Sequence, residues 1–340
     1  MSRQIFRYLF FVLIFYYLPG SAQIQFSQQE ALEDLKALKT ALEYVHPRLY
    51  KYQDEATFNR LFNQKSSALK DQIPGVDLLA IVSQINAQVN CGHLYTIPQL
   101  ELREELQQRK VFPFFVKVIR NELYISNDCS LNEASSNGAK ILSINGHKSS
   151  DILSKMKAGI ATDGFIESRK DRLIERSLFS LRNGFDLYYF LYLDRSDSFE
   201  IELTLAGEKQ KTTIKFVAIN RDVRKQRLLD LYQINENRWF QNPSPSAEFS
   251  VDKNYAVLSL PRSFHNPKID PPFNDFLKAF FDKLKIDSIH NLILDLRNNE
   301  GGSEAQEIEL LSYLLAKPCK LYQNIYLSHL DYRPLKEIII

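Results

Sequence analysis

Two adjacent glycines, Gly301 and Gly302, constrain this chain more than any other feature, because an apolar strand pattern ends before them and a helical pattern begins after them. The 340-residue sequence contains only 11 glycines, so an adjacent pair is conspicuous. Adjacent glycines permit positive φ values and a close approach of the backbone to another part of the chain. The pattern therefore predicts a strand, a glycine turn and a helix in succession over residues 291–315.

The residues on each side of the turn support this prediction. A short apolar run before it is typical of a fully buried strand. Its members are Leu292, Ile293, Leu294 and Leu296. Ser303 and Gln306 have the spacing of a capping box, and the apolar helical stripe that follows ends before Pro318. Such a turn directs several backbone N–H groups at one point, so Gly301 and Gly302 are candidate donors to an anion or oxyanion.

Two common uses of a glycine turn are excluded by the residues around it. No Gly-Lys-Ser/Thr follows, so the turn is not a Walker loop, and the G-x-G-x-x-G spacing of dinucleotide sites is absent. On these residues alone, an ordinary strand-to-helix turn of an α/β sheet stays open as the alternative.

The stretch from residue 292 to residue 302 reads LILDLRNNEGG. It resembles the D-[LV]-R-x-N-x-G-G segment of the tail-specific, or carboxyl-terminal processing, serine peptidases, and most of all that of their tricorn-core branch. The resemblance implies a crotonase-like βαβ peptidase core in which the Gly301-Gly302 turn contributes a backbone amide to the oxyanion hole. A predicted strand over 255–260 and a predicted helix over 273–284 precede this stretch, as a βαβ arrangement requires.

A histidine in the first third of the chain is the candidate base. His93 follows Gly92 on a loop after a predicted helix over 77–89, a position that a scaffold can aim. By itself such a histidine has the plain interpretation of a structural hydrogen-bonding residue. The segment resembles the (G/S)-H-T segment of tricorn-core peptidases, with Leu94 in place of the threonine, and the H-P-x-L-Y at residues 46–50 resembles the N-terminal part of secreted members. The resemblance implies that His93 is the general base.

The nucleophile of the family has no counterpart in these residues. In that family a serine lies downstream of the glycine turn, in a second turn rich in serine and alanine. Residues 319–340 contain no such turn, and Ser328 lacks small neighbours. We therefore expect an exported serine-type endopeptidase in the form of a fragment that lacks its catalytic serine. Two alternatives stay open: a Ser-Lys mechanism with both residues downstream, and a non-catalytic peptide-binding pseudopeptidase.

Local patterns divide the chain into five predicted segments and give a mixed α/β, multidomain fold class. Arg3 and Arg7 precede an apolar core and a small-residue end, which predicts a secretory signal peptide and export to the periplasm or the extracellular space. A strand that ends in Asn145-Gly146 resembles the G-D-x-I-L-x-I-N-G core of PDZ-like modules. The segments are a signal peptide (1–23), a helical region (24–108), a PDZ-like β-rich module (109–220), a linker region (221–248) and an incomplete peptidase core (249–340).

Charge and composition exclude several classes of partner. A net charge of +2 gives no long-range attraction to nucleic acid or to anionic membranes. Only the N-terminal apolar run is long, so we expect no stable membrane insertion after signal cleavage. The three cysteines, Cys91, Cys129 and Cys319, are too scattered for a disulfide framework and are expected to be buried small residues. No metal or cofactor motif is present, so the expected partner is a peptide or an unfolded protein substrate.

Overall fold

The computed structural model of the chain describes residues 24–175, 184–233, 244–264, 266–323 and 335–336. The predicted signal peptide, residues 1–23, lies outside these described residues. The chain divides into two compact units, one formed by residues 1–226 and 328–340 and the other by residues 227–327. Each unit has its own hydrophobic core.

The first unit begins with a helical region. Its elements are β1 (Gln25–Ser27), α1 (Gln28–Val45), α2 (Glu55–Ser67), β2 (Gln72–Pro74), α3 (Gly75–Gln88) and α4 (Leu100–Gln108). Apolar side chains at helical spacing, among them Leu35, Phe58 and Ile85, form one buried cluster. The capping box predicted at Ser27 is confirmed, since the Glu30 amide donates to Ser27 Oγ at 3.2 Å and the Ser27 amide donates to Glu30 Oε2 at 2.8 Å.

A six-stranded antiparallel sheet forms the larger part of the first unit. Its strands are β3 (Phe114–Ile119), β4 (Glu122–Asp128), β5 (Lys140–Ile144), β6 (His147–Lys148), β7 (Ser198–Thr204) and β8 (Lys211–Val217). They lie in the order β3-β4-β5-β7-β8, with β6 paired to β5. Arg120-Asn121 and Asn145-Gly146 both adopt positive φ values, as the two predicted hairpin turns require.

Three helices, α5 (Ser149–Lys157), α6 (Glu167–Glu175) and α7 (Phe185–Tyr192), accompany this sheet and share its core. Ile152 and Ile174 from the helices join Phe114 and Ile201 from the strands in one buried cluster. Helix α8 (Arg221–Tyr232) follows the sheet and occupies residues that we placed in the linker region.

A buried carboxylate surrounded by arginines joins α7 to α8. Asp186 lies 2.9 Å from Arg221 Nη1 and 3.6 Å from Arg224 Nη2. Arg224 Nη1 also donates to the Phe112 carbonyl at 2.9 Å. Burial lowers the pKa of nearby Arg109 to about 10, although the charge of Asp186 acts in the opposite direction. This part of the first unit therefore holds more positive than negative charge away from water.

The second unit is a three-stranded sheet with two helices. Its elements are β9 (Ser246–Ser250), β10 (Tyr255–Ser259), α9 (Phe273–Ile286), β11 (Asn291–Asp295) and α10 (Glu304–Leu314). Strands β10 and β11 are parallel and α9 connects them, so the predicted βαβ arrangement is confirmed. Strand β9 pairs antiparallel with β10, and the order β11-β10-β9 leaves β11 at an edge.

Four local predictions are wrong. Strand β11 is not fully buried, since it pairs only with β10 among the described residues and Ile293 keeps 51% of its surface exposed. Helix α3 begins at Gly75 rather than at the predicted residue 77, and Pro74 occupies the N-cap. Ser303 is the N-cap of α10, but its side chain makes no capping hydrogen bond. Cys319 is exposed rather than buried.

The observed class is nevertheless the predicted one, a mixed α/β chain with helices and several separate sheets. Within the described residues, no helix combines the length and the apolar character needed to cross a membrane.

Candidate active site

The predicted glycine turn begins where β11 ends, at an exposed pair of charged residues. Arg297 folds back on Asp295, donating from Nε to Oδ1 at 2.9 Å and from Nη2 to Oδ2 at 2.6 Å. The hydrogen bonds from the Arg297 side chain and from its amide lower the pKa of Asp295 to about 2. The pair orders the start of the turn, and Asn298 then enters the left-handed region with φ +71°.

Gly302 makes the closest backbone contact of the turn. A β-carbon at this position would lie 2.1 Å from the carbonyl oxygen of Ser263, so no other residue fits without a backbone shift. The contact belongs to a short parallel bridge in which the Ser263 amide donates to the Gly301 carbonyl at 3.2 Å and the Ser303 amide donates to the Ser263 carbonyl. The loop after β10 and the turn after β11 are therefore held in one register.

The hydrogen bonds of the turn distinguish its two glycines. The Gly301 amide donates to Asn299 Oδ1 at 2.7 Å, and the Ser303 amide is engaged by Ser263. The Gly302 amide has no acceptor among the described residues. Of the two glycines that we predicted as donors, Gly302 is thus the one whose N–H is available to a ligand in this geometry.

Two carboxylates follow this turn. Glu304 and Glu307 lie in the first turn of α10, where carboxylates stabilise the helix N-terminus. Their negative charges act against a bound anion and against an oxyanion alike, so the candidate role of the Gly302 amide rests on its free N–H alone.

Asn299 connects the turn to the loop after β10. Its Nδ2 donates to the Leu260 carbonyl at 2.9 Å and to Ser263 Oγ at 3.1 Å, while its Oδ1 accepts from the Gly301 amide. The sequence offered a signal for this role, because an asparagine side chain often bonds the backbone two residues on, which here is the Gly301 amide. The long-range partner Ser263 carried no signal of its own.

A buried ion pair fixes the loop that carries Ser263. Arg262 Nη1 and Nη2 donate to the two carboxylate oxygens of Asp270, each at 2.7 Å, and Nη1 also donates to the Phe264 carbonyl at 2.7 Å. Burial alone would raise the pKa of Asp270, but hydrogen bonds from Arg262 and from the Asn266 amide hold that pKa below its ordinary value. Sequence reasoning missed both members of the pair, because the residues between them, 263–269, show no helical or strand pattern.

His93 lies in the other unit, on the loop between α3 and α4. The Gly92 amide donates to Asp163 Oδ1 at 2.8 Å, and the Gly164 amide donates to the Asn90 carbonyl at 2.9 Å. A β-carbon on Gly92 would lie 2.7 Å from Asp163 Oδ2, so the position before the histidine requires glycine. These contacts dock the loop of residues 90–93 on that of residues 163–164.

The imidazole of His93 is exposed, and it has no hydrogen-bond partner within the part of the chain that the structure describes. The structure thus brings Gly301 and Gly302 together with Asn299 and Ser263 in one unit. His93 belongs to the other unit.

Comparisons with known proteins agree with the resemblance noted in the sequence. Residues 256–328, which include β10, β11 and the glycine turn, match the model of peptidase family S41. A search of curated protein sequences finds no match.

Three solved structures have a similar fold. Mature CPAF complexed with lactacystin has a TM-score of 0.53 at 15% identity, covering 84% of this chain and 59% of that one. Mature CPAF has a TM-score of 0.52 at 14% identity, with coverages of 84% and 58%. A CPAF point mutant has a TM-score of 0.53 at 14% identity, with coverages of 82% and 57%. The chain thus spans less than two thirds of the length of these proteins.

The contact of Gly302 with Ser263 can be tested by comparing two alanine substitutions. Gly302→Ala places a β-carbon against a backbone oxygen, so we expect a loss of unfolding free energy well above about 2 kcal/mol. Gly301→Ala is the matched control, since its φ is +88° and nothing lies within 4 Å of its β-carbon; we expect a loss of about 1–2 kcal/mol. Urea unfolding of both variants measures the difference, and equal losses would contradict the tight contact.

The Arg297–Asp295 pair makes a prediction about titration. Arg297→Gln removes the main cause of the lowered pKa, so the pKa of Asp295 should rise from about 2 towards 3.8. Because the folded-state pKa is depressed, the pair contributes stability above pH 4 that is lost as the pH falls from about 4 to 2. Carboxyl NMR titration measures the shift. Lys278→Gln, which removes a charge from α9, should leave the Asp295 titration unchanged.

Proposed function

We propose that this chain is part of an exported serine-type endopeptidase that cleaves peptides or protein tails, since residues 256–328 match the model of peptidase family S41. The observation that carries the proposal is the open amide of Gly302. Its neighbours Gly301 and Ser303 are engaged within the turn, so one N–H is left at a helix N-terminus in a backbone that cannot relax. A preorganised donor of this kind is what acyl transfer needs for its tetrahedral intermediate.

The proposed reaction assigns one role to each part of the site. A serine hydroxyl attacks the scissile carbonyl while His93 accepts its proton, and the carbonyl oxygen becomes an oxyanion that accepts a hydrogen bond from the Gly302 amide. His93 then donates the proton to the leaving amine, and water repeats the sequence on the acyl-enzyme. The exposed loop position of His93 leaves its imidazole accessible to such an exchange.

The nucleophilic serine of this proposal lies outside residues 24–323. Strand β11 supports this view, because it exposes Ile293 and has a free edge among the described residues. Helix α10 likewise exposes Ile308 and Leu314. An apolar edge strand is usually covered or paired, so a further strand next to β11, with the serine near it, would complete the peptidase core.

A second candidate function is peptide binding without catalysis. It is favoured by the sequence of residues 319–340, which lacks a serine in a small-residue turn. The predicted PDZ-like module would then be the functional part, since modules of this kind bind extended peptides.

Serine labelling tests whether these residues contain the nucleophile. We expect the 340-residue protein to hydrolyse no peptide and to react with no fluorophosphonate probe, because a suitable nucleophile is missing. Labelling is measured by gel fluorescence and by mass spectrometry of the modified peptide. A labelled serine within residues 24–340 would show that the nucleophile is present and was overlooked.

The role of His93 is tested in a longer enzyme, in which the serine-bearing segment of a family relative is joined after residue 340. His93→Ala should lower kcat by several orders of magnitude, with a residual rate from the oxyanion hole and from binding. His290→Ala, which changes an exposed histidine of the second unit, is the matched control. If Ser-Lys chemistry applies instead, His93→Ala would leave kcat within about threefold of the unchanged enzyme.

Export makes an independent prediction. If residues 1–23 are a cleaved signal peptide, protein recovered from the periplasm or the medium begins near Ile24. Intact-mass spectrometry and N-terminal sequencing measure this. Replacing Arg3 and Arg7 by glutamate should slow the processing, whereas recovery of exported protein that still carries Met1 would refute cleavage.

A further inference from the structure

The segment directly after His93 has the alternation of an extended chain. Leu94 is half-buried against the helical core, the Thr96 hydroxyl accepts a hydrogen bond from an asparagine of α3 at 2.9 Å, and Pro98 is buried. Tyr95 and Ile97 point the other way and keep 56% and 45% of their surfaces exposed. Covered and exposed side chains thus alternate along the segment, with the period of two that a strand shows.

The backbone of this segment is nevertheless unpaired. Residues 94–98 belong to none of the sheets. Within the described residues, the amides and carbonyls of Tyr95, Thr96 and Ile97 have no hydrogen-bond partner. A row of free N–H and C=O groups on an extended chain is a template for another strand.

Both ends of the segment are anchored. At the start, the docking of residues 90–92 on Asp163 and Gly164 fixes the loop. At the end, the Arg103 amide donates to the Gln99 carbonyl at 2.9 Å, and Arg103 Nη2 donates to the Pro98 carbonyl at 3.4 Å. A segment fixed in this way loses little conformational freedom when it binds, which favours affinity.

Phe165 adds an apolar surface on the loop that docks against residues 90–92. It follows Gly164 directly and is 72% exposed, and its ring meets that of Tyr52 in an edge-to-face contact with centroids 5.7 Å apart. Aromatic rings with one covered and one open side are common where a protein binds a partner.

We propose that residues 94–97 bind an extended peptide by strand addition, with apolar peptide side chains at every second position packing on Tyr95 and Ile97. Backbone hydrogen bonds recognise any extended chain. Tyr95 and Ile97 then favour peptides in which apolar side chains occupy every second position. The inference rests on the proposed function, for it makes this segment the binding site of the peptide or protein tail whose scissile bond His93 would serve. The ligand that fits this segment is an unfolded protein tail, because such a tail has free backbone groups and exposed apolar side chains.

The test measures binding to the purified 340-residue protein by fluorescence anisotropy. One fluorescein-labelled octapeptide alternates valine and serine, and a second has four valines followed by four serines, so the composition is the same. We expect the alternating peptide to bind about fivefold more tightly or better, because only its valines match the spacing of Tyr95 and Ile97.

Backbone pairing is tested with a scan of single N-methyl groups along the alternating peptide. Strand addition predicts a period of two, since only every second amide of an edge strand faces its partner; methylation there should weaken binding about fivefold or more. A scan without this period would overturn the proposal.

The location is tested with Tyr95→Ala and Ile97→Ala, whose exposed side chains can be removed without opening the core. Each should weaken binding of the alternating peptide several-fold, while Leu131→Ala, another exposed apolar residue of the first unit, should not. Unchanged binding by both variants overturns the site, provided that their thermal unfolding matches that of the unchanged protein. Neither measurement needs a nucleophile, so period-two binding together with no hydrolysis by the longer enzyme refutes only the peptidase function, and hydrolysis by the longer enzyme without a period-two scan refutes only this site.

Discussion

The carbonyl oxygen of Ser263 occupies the place where residue 302 would carry a side chain, and the candidate site of the second unit depends on this contact. It brings the loop after β10 and the turn after β11 into register, so that Ser303 and Gly301 both bond to Ser263. Once these groups are engaged, the direction of the Gly302 amide is determined by the backbone and not by a side chain. A donor fixed in this way needs no reorganisation when charge develops opposite it.

A glycine is also held against an oxygen atom in the first unit. Gly92 lies so close to the Asp163 carboxylate that a β-carbon would be 2.7 Å from an oxygen, and the candidate base follows directly. In both units a functional group is therefore placed by a neighbouring glycine that is held against an oxygen of a distant loop. In the second unit the Arg262–Asp270 pair adds rigidity, because the three charge-assisted hydrogen bonds of Arg262 hold the loop that supplies the oxygen.

Local pattern was sufficient for much of the fold. The period of apolar residues predicted the βαβ unit, and Asn145-Gly146 predicted its hairpin, because these features depend on neighbours in sequence. Features that depend on distant partners were not predictable. The Ser303 side chain does not cap α10 while its amide bonds to Ser263, and the availability of Gly302 over Gly301 is decided by Asn299. The prediction that β11 is fully buried was wrong for a related reason. An apolar run shows that a strand is suited to apolar contacts, but it does not show whether another element lies beside that strand.

The arginines around Asp186 have a consequence for the variation that this gene can accumulate. If Arg221 is lost, Arg224 still faces the carboxylate, so the buried negative charge keeps a counter-ion. If Asp186 is lost, several guanidinium groups are left in apolar surroundings without their shared carboxylate, and an uncompensated buried charge costs several kcal/mol. We therefore expect substitutions to be tolerated at one arginine at a time and to be selected against at Asp186. Across a population of descendants, the acidic position would stay constant while the basic ones exchange.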